Sequence, residues 1–145
     1  MNHTVIISLS WLAVVFWMIV IFMLSAQSAQ QTNGLSKGVT GVIVNILKKV
    51  TSKDKFDLSS FNHLVRKNAH FFTYLILGIF VMNAMSRSGL IGSTLLVLSI
   101  SICILYAISD EVHQLFVPGR GAQVKDVLID SAGAAVGITL YSLIV

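Results

Sequence analysis

The sequence predicts an all-α membrane protein. The expected architecture is a four-transmembrane-helix bundle with an amphipathic interfacial helix between the first and second crossings, in a single domain spanning residues 1–145. Three observations carry this. First, the 145 residues are 55% hydrophobic and only 11% charged, against about 25% charged in soluble domains, and the mean hydropathy is +0.84. Second, four apolar runs are each long enough to cross a bilayer. Third, the remaining charge is gathered. Residues 109–130, SDEVHQLFVPGRGAQVKDVLID, hold four of the six acids (Asp110, Glu111, Asp126, Asp130), Arg120 and the one proline, Pro118. Charges set against hydrocarbon are costly, so this stretch needs partners, water or a function.

The first crossing is residues 5–24, free of charge and carrying Trp11 and Trp17. A cleaved signal peptide is the competing reading. The start MNHT has no Lys or Arg, and the apolar run exceeds the usual signal core, so a retained helix is expected. Residues 25–36 are polar and read as a loop. In residues 35–50, Leu35, Val39, Val42, Ile43, Ile46, Leu47 and Val50 recur at helical spacing on one face, with Lys37, Asn45, Lys48 and Lys49 opposite. Such a helix either lies in the headgroup layer or caps the bundle as a lid. Residues 51–62 form a charged, aromatic connector.

The second crossing is placed at residues 66–86, with Arg66, Lys67, Asn68 and His70 in its first turns. Arg87 and Gly89 mark a short turn into the third crossing, residues 88–109, so these two form an antiparallel hairpin. The stretch Val117-Pro118-Gly119-Arg120-Gly121 breaks the chain, because proline cannot continue a helix and glycines permit tight turns. The last crossing is residues 124–145, with Asp130 in its first two turns.

Four crossings put both termini on one side and the loops 25–67 and 110–125 on the other. Nine of the ten Lys and Arg residues fall in those two loops, and Arg87 alone lies opposite. The positive-inside rule points this side to the cytoplasm. No aromatic-interleaved basic groove accompanies the lysines, so nucleic acid is not an expected partner. The bilayer itself and anionic headgroups are. One cysteine, Cys103, excludes an intrachain disulfide and a cysteine-rich metal site.

The candidate site lies at one end of the bundle. Arg66, His70 and Tyr74 share a helix face, as do Asp110 and Gln114, Glu111 and Gln114, and Asp126 and Asp130. Gly133 and Gly137 continue the face of Asp130 and allow close helix approach. The simplest assembly brings Arg66, Lys67 and His70 to Asp110, Glu111, Asp126 and Asp130, where opposite charges compensate. Taken singly, each residue is accounted for by a charge lock between helix ends. The set as a whole, with His113, Gln114, Tyr74 and Arg120, exceeds what a lock requires. Three chemistries stay open. Arg66, Lys67 and Arg120 would hold a lipid or nucleotide phosphate. Glu111, His113 and Asp126 or Asp130 would hold a divalent metal, although no HExxH-like spacing is present. His70 or His113 would act as general base beside a carboxylate, with Ser109 or Tyr74 as nucleophile or acid. No resident metal or cofactor is expected from the sequence.

At these residues the chain resembles the VanZ-like family of small bacterial membrane proteins. The matching pieces are FMLSAQS (22–28), RKNAHFFTYLILG (66–78) and YAISDEVHQLFVPGRGAQVKDVLIDSAGAAVG (106–137). Residues 35–62 carry no part of the pattern. The resemblance adds Ser25 and Gln27 at the end of the first helix to the polar residues already named, together with Pro118 and Gly119. It implies a multi-pass protein of the bacterial cell membrane. The family's founding member is associated with resistance to the glycopeptide teicoplanin. The expectation is a non-enzymatic protein that binds an anionic lipid or lipid-linked envelope precursor at the polar mouth and lowers glycopeptide susceptibility. A membrane enzyme on a lipid phosphate or lipid-linked sugar, using His70, Asp110 and Glu111, is the first alternative. An assembly partner without ligand is the second. Basic N-termini among relatives imply an outward mouth, opposite to the Lys/Arg count here, so orientation stays open.

Overall fold

The computed structural model describes residues 2–26, 58–118 and 121–145, with side chains outside 58–67. It contains helices α1 (His3–Ser25), α2 (Leu58–Arg87), α3 (Gly92–Gln114) and α4 (Val124–Ile144), and no strand among the described residues. All four are long and apolar enough to cross a membrane, α2 through Asn68–Arg87. The amphipathic helix expected at 35–50 lies outside the described residues, as does the connector up to residue 57.

Three boundaries differ from the sequence reading by more than two residues. Helix α2 begins at Leu58, so residues 58–62 of the expected connector are helical. Helix α3 starts at Gly92 instead of residue 88, and it continues through Asp110 to Gln114. Both shifts of α3 follow from backbone chemistry. Gly89 and Gly92 have φ of 91° and 62°, values that glycine adopts without steric cost, and they hold the turn open for longer. At the other end nothing breaks the helix before Pro118, and charged side chains by themselves do not. The acids therefore stand on a rigid last turn rather than in a loop.

Helix α2 is the centre of the bundle. It touches the other three, α3 packs against α4, and no contact joins α1 to α4. α1 runs antiparallel to α2: the indole N–H of Trp11 donates to Ser88 Oγ (3.1 Å) near one end, and that of Trp17 donates to the Thr73 carbonyl (2.9 Å) farther along. The Trp17 ring meets Phe80 edge-on at 5.9 Å. Tyr106 ties α3 to α1 by donating its hydroxyl to the Met18 carbonyl at 2.6 Å.

The closest packing is between α2 and α4. A Cβ added at Gly133 or Gly137 would strike the carbonyl oxygen of Phe71 or Leu75, and one at Gly78 would strike that of Ala134. The backbones thus meet with nothing between them, as small residues permit in membranes. Since residue 133 faces 71 and 137 faces 75, the two helices run parallel.

Burial is distributed as a bilayer requires. Leu12, Phe16, Val97, Leu105, Leu128 and Leu143 are exposed on the outer surface, where lipid would cover them. The inner stripe of α3 runs Leu95, Ser99, Cys103, Ala107, Asp110, Glu111, Gln114, apolar or small along its length and polar at its last turn. At the far end of the bundle, Asn83 Oδ1 accepts from Arg87 Nε (2.8 Å) and from the Tyr141 hydroxyl (3.3 Å). Its Nδ2 donates to Ser10 Oγ at 3.4 Å.

The glycine seam yields a stability test. Gly137→Ala must push α2 and α4 apart, and overpacking of this kind costs about 1–3 kcal/mol. Gly121→Ala, where an added Cβ meets nothing within 4 Å, should change stability by less than about 0.5 kcal/mol. Thermal unfolding of the detergent-solubilised variants measures both, and equal melting temperatures would remove the seam from the account.

Candidate functional site

Every helix contributes a polar side chain to one end of the bundle. α1 ends there on Ser25, which is 1% exposed. α2 brings His70 and, one turn further into the bundle, Tyr74. α3 delivers Asp110, Glu111 and Gln114 on its last turn, and α4 delivers Asp126 and Asp130 on its first two. Asp130 and Tyr74 are fully buried, Asp110 and Glu111 are 3% exposed, and Gln114 is 1% exposed. The two elements that carry His70 and Asp130 are those held together by the glycine seam. Gly133 sits one turn beyond Asp130 and against Phe71, the neighbour of His70.

The geometry at the centre is compact. His70 Nδ1 lies 3.8 Å from Asp130 Oδ1. One ligand-type atom from each of His70, Asp110 and Asp130 falls within 4.8 Å of the other two. Gln114 Nε2 donates to Asp110 Oδ2 at 3.4 Å, a long bond. The Ser25 hydroxyl lies beside the Asp110 carboxylate, short of a well-formed hydrogen bond. The Tyr74 hydroxyl lies within electrostatic reach of Asp110 and Asp130. Among the described residues, neither oxygen of Asp130 accepts a hydrogen bond, and the same is true of Asp110 Oδ1. The Tyr74 hydroxyl also makes none.

At the rim, Glu111 Oε1, His113 Nε2 and Asp126 Oδ1 likewise accept or donate no hydrogen bond among the described residues, although other contacts engage these residues. Glu111 Oε2 accepts the backbone N–H of Gln123 at 2.8 Å, which fastens the start of α4 to the end of α3. The His113 ring stacks on Phe22 at 4.2 Å and 12°, which sets it between α3 and α1. Asp126 is half-buried beside the start of α4.

Most of the residues expected from the sequence therefore gather at one mouth: Ser25, His70, Tyr74, Asp110, Glu111, His113, Gln114, Asp126 and Asp130. Arg66 and Lys67 lie on α2 ahead of His70, with side chains outside the description. Gln27 and Arg120 are outside the described residues. The sequence grouping of Glu111, His113 and Asp126 or Asp130 as metal ligands is not the one the fold assembles; the compact set is His70, Asp110 and Asp130. The sequence reading also missed Phe22 and Tyr106. Tyr106 was findable, because it stands one turn before Asp110, and its ring lies 6.2 Å from that of Tyr74. Nothing local signals that Phe22 stacks on a histidine ninety-one positions away.

A family model described as VanZ/LLP1 matches residues 10–145. The match covers the three motif segments and the residues between them. No curated protein and no solved structure matches the chain.

A hydroxyl buried without a partner costs about 1–3 kcal/mol. Tyr74→Phe should therefore leave the unfolding temperature unchanged or raise it, with a gain of up to about 1 kcal/mol. Trp17→Phe removes a made hydrogen bond and should lose about 1 kcal/mol. Differential thermal unfolding in one detergent compares the two; a Tyr74→Phe protein that is the less stable of the pair would show that its hydroxyl serves the fold.

Proposed function

The chain belongs to the VanZ/LLP1 family, and from that premise we propose that it is a bacterial cell-membrane protein whose polar mouth binds an anionic lipid or lipid-linked envelope component. Binding at that mouth lowers the action of glycopeptide antibiotics such as teicoplanin at the membrane. The observation that supports this reading is the unused hydrogen-bonding capacity of Tyr74, Asp110 and Asp130. A lock between helix ends is stable when its polar groups satisfy one another. Here deeply buried groups face one another without doing so, which is the state of a site organised for something else.

The recognition chemistry follows from residue types. Arg66 and Lys67 precede His70 on α2, and Arg120 follows Pro118 with a glycine on either side. Guanidinium forks pair with phosphate oxygens, and the glycines let backbone N–H groups approach. His70, about one-fifth exposed, forms the outer edge of the buried centre and would be the first of its groups that a headgroup meets. Asp110 and Asp130, behind it, orient and compensate the cationic groups.

A second reading is favoured by one contact. His70 beside Asp130 is a pair suited to proton transfer, so a membrane enzyme acting on a lipid phosphate or lipid-linked sugar would use His70 with Asp110 and Glu111. Binding alone leaves lipid composition unchanged, whereas turnover does not.

Asp110→Asn and Arg120→Ala should each abolish protection against teicoplanin in a susceptible host while membrane insertion is unchanged. Inhibitory concentration and membrane-fraction immunoblots read the two properties side by side. Protection at the wild-type level in both variants rules out the polar mouth as the functional site. Lipid extracts from the same cells separate the two chemistries: a lipid species that changes with the protein and reverts with Glu111→Gln selects the enzyme.

A further inference from the structure

We propose that His70, Asp110 and Asp130 bind a divalent transition-metal cation, with Mn²⁺ and Zn²⁺ the best-suited ions. Three helices bring these residues together: α2 supplies the imidazole, α3 and α4 one carboxylate each. One donor atom from each lies within 4.8 Å of the other two. Ligand atoms around a single zinc-like ion are separated by about 3.3 Å, given bonds of roughly 2.0–2.1 Å, so closure needs a movement of about 1 Å that side-chain rotation can supply.

Independent observations point the same way. Asp130 is fully buried, and neither of its oxygens accepts a hydrogen bond. Asp110 leaves Oδ1 unbonded and has only a long bond from Gln114 to Oδ2. The Tyr74 hydroxyl is fully buried, without a hydrogen bond, one helical turn from His70, and within reach of both carboxylates. Two buried carboxylates side by side are stabilised by positive charge between them. The histidine Nδ1 faces that gap at 3.8 Å from Asp130.

The donor set selects the ion class. Imidazole nitrogen favours zinc and its transition-metal neighbours, and carboxylate oxygen favours manganese, magnesium and calcium. One nitrogen with two carboxylates suits Mn²⁺ and Zn²⁺ together. Three protein ligands also leave coordination positions open. Resting on the reading of the mouth as a phosphate-lipid site, an open position facing His70 would take a phosphate oxygen, and the Tyr74 hydroxyl would donate to an oxygen of the same group.

The test uses the full chain in detergent, stripped with EDTA and titrated with Mn²⁺ or Zn²⁺. The expected result is one tightly held ion per chain. Asp130→Asn, Asp110→Asn and His70→Ala should each weaken binding by more than the roughly 10–100-fold that loss of a ligand's outer partner costs. His3→Ala, exposed at the start of α1, should bind as wild type does. Should the site variants fail to fold, the wild-type protein still decides. Pulsed paramagnetic resonance of bound Mn²⁺ must show coupling to one imidazole nitrogen, and a bound ion without that coupling overturns the proposal. So does the failure of the wild-type protein to bind either ion, with the carboxylates then compensated by protons or by basic side chains. Vesicles doped with phosphatidic acid separate the ion from the ligand reading. Capture that needs Mn²⁺ supports the bridge to phosphate. Capture that is equal with and without EDTA overturns the bridge and leaves the lipid site standing. Metal binding with no capture under either condition leaves the cation and removes the lipid.

Discussion

The structure depends on the direct backbone contact between α2 and α4. Lipid tails are as apolar as leucine, so helices in a bilayer gain little from hiding apolar surface and associate through close packing instead. Gly78, Gly133 and Gly137 provide that packing by bringing backbone against backbone where each of them stands. The consequence reaches past stability. Asp130 lies one turn before Gly133, and His70 precedes the residue that Gly133 touches. The separation of His70 from Asp130 is therefore set by the seam, and the chemistry at the mouth inherits its rigidity from three glycines with no chemistry of their own.

The second constraint is charge. α3 could have ended at residue 109, where its apolar run ends. It continues for another turn because nothing in Asp110–Gln114 opposes helix, and that turn carries the acids inward on the stripe already formed by Ser99, Cys103 and Ala107. A loop would have let the same carboxylates swing into water. Fixed on a helix, Asp110 stays buried beside Asp130, and the bond from Gln123 N–H to Glu111 holds the following turn to that arrangement.

The four crossings were legible because membrane helices announce themselves by length and lack of charge, which requires no knowledge of neighbours. The polar face of each helix end was legible for a similar reason: His70 with Tyr74, and Asp126 with Asp130, follow from helical spacing alone. Which face of an apolar helix turns inward was harder to read. Leu12 and Phe16 face out while Val14 and Ile21 face in, and nothing in their hydrophobicity separates them. The small residues were the useful signal, and Gly133 and Gly137 did identify the packed face of α4. Isolated contacts between distant residues left no pattern at all, among them the ring stack of Phe22 on His113 and the bond of Tyr141 to Asn83. The grouping of Glu111, His113 and Asp126 or Asp130 differs from the compact set of His70, Asp110 and Asp130 for a related cause. Glu111, His113 and Asp126 are close in sequence, but Glu111 is turned to a backbone N–H and His113 to an aromatic ring, leaving Asp110 to face the histidine of another helix.

The difference between a lock and a site can be argued from the same atoms. The polar group at the far end of the bundle behaves as a lock: Asn83 bonds to α1 and α4 and to Arg87 on its own helix, and both polar atoms of its amide are engaged. At the mouth, the groups with the greatest burial are those with the fewest bonds. Burial without bonds is unfavourable by several kcal/mol per charged group, and a fold selected for stability alone would relieve it by exposing Asp130 or by setting an apolar residue in its place. The rigid seam beneath prevents relief by moving the two helices apart. A proton or a basic side chain would restore the balance, and so would the proposed cation with an anionic headgroup behind it, which has the charge, the size and the coordination chemistry to do so.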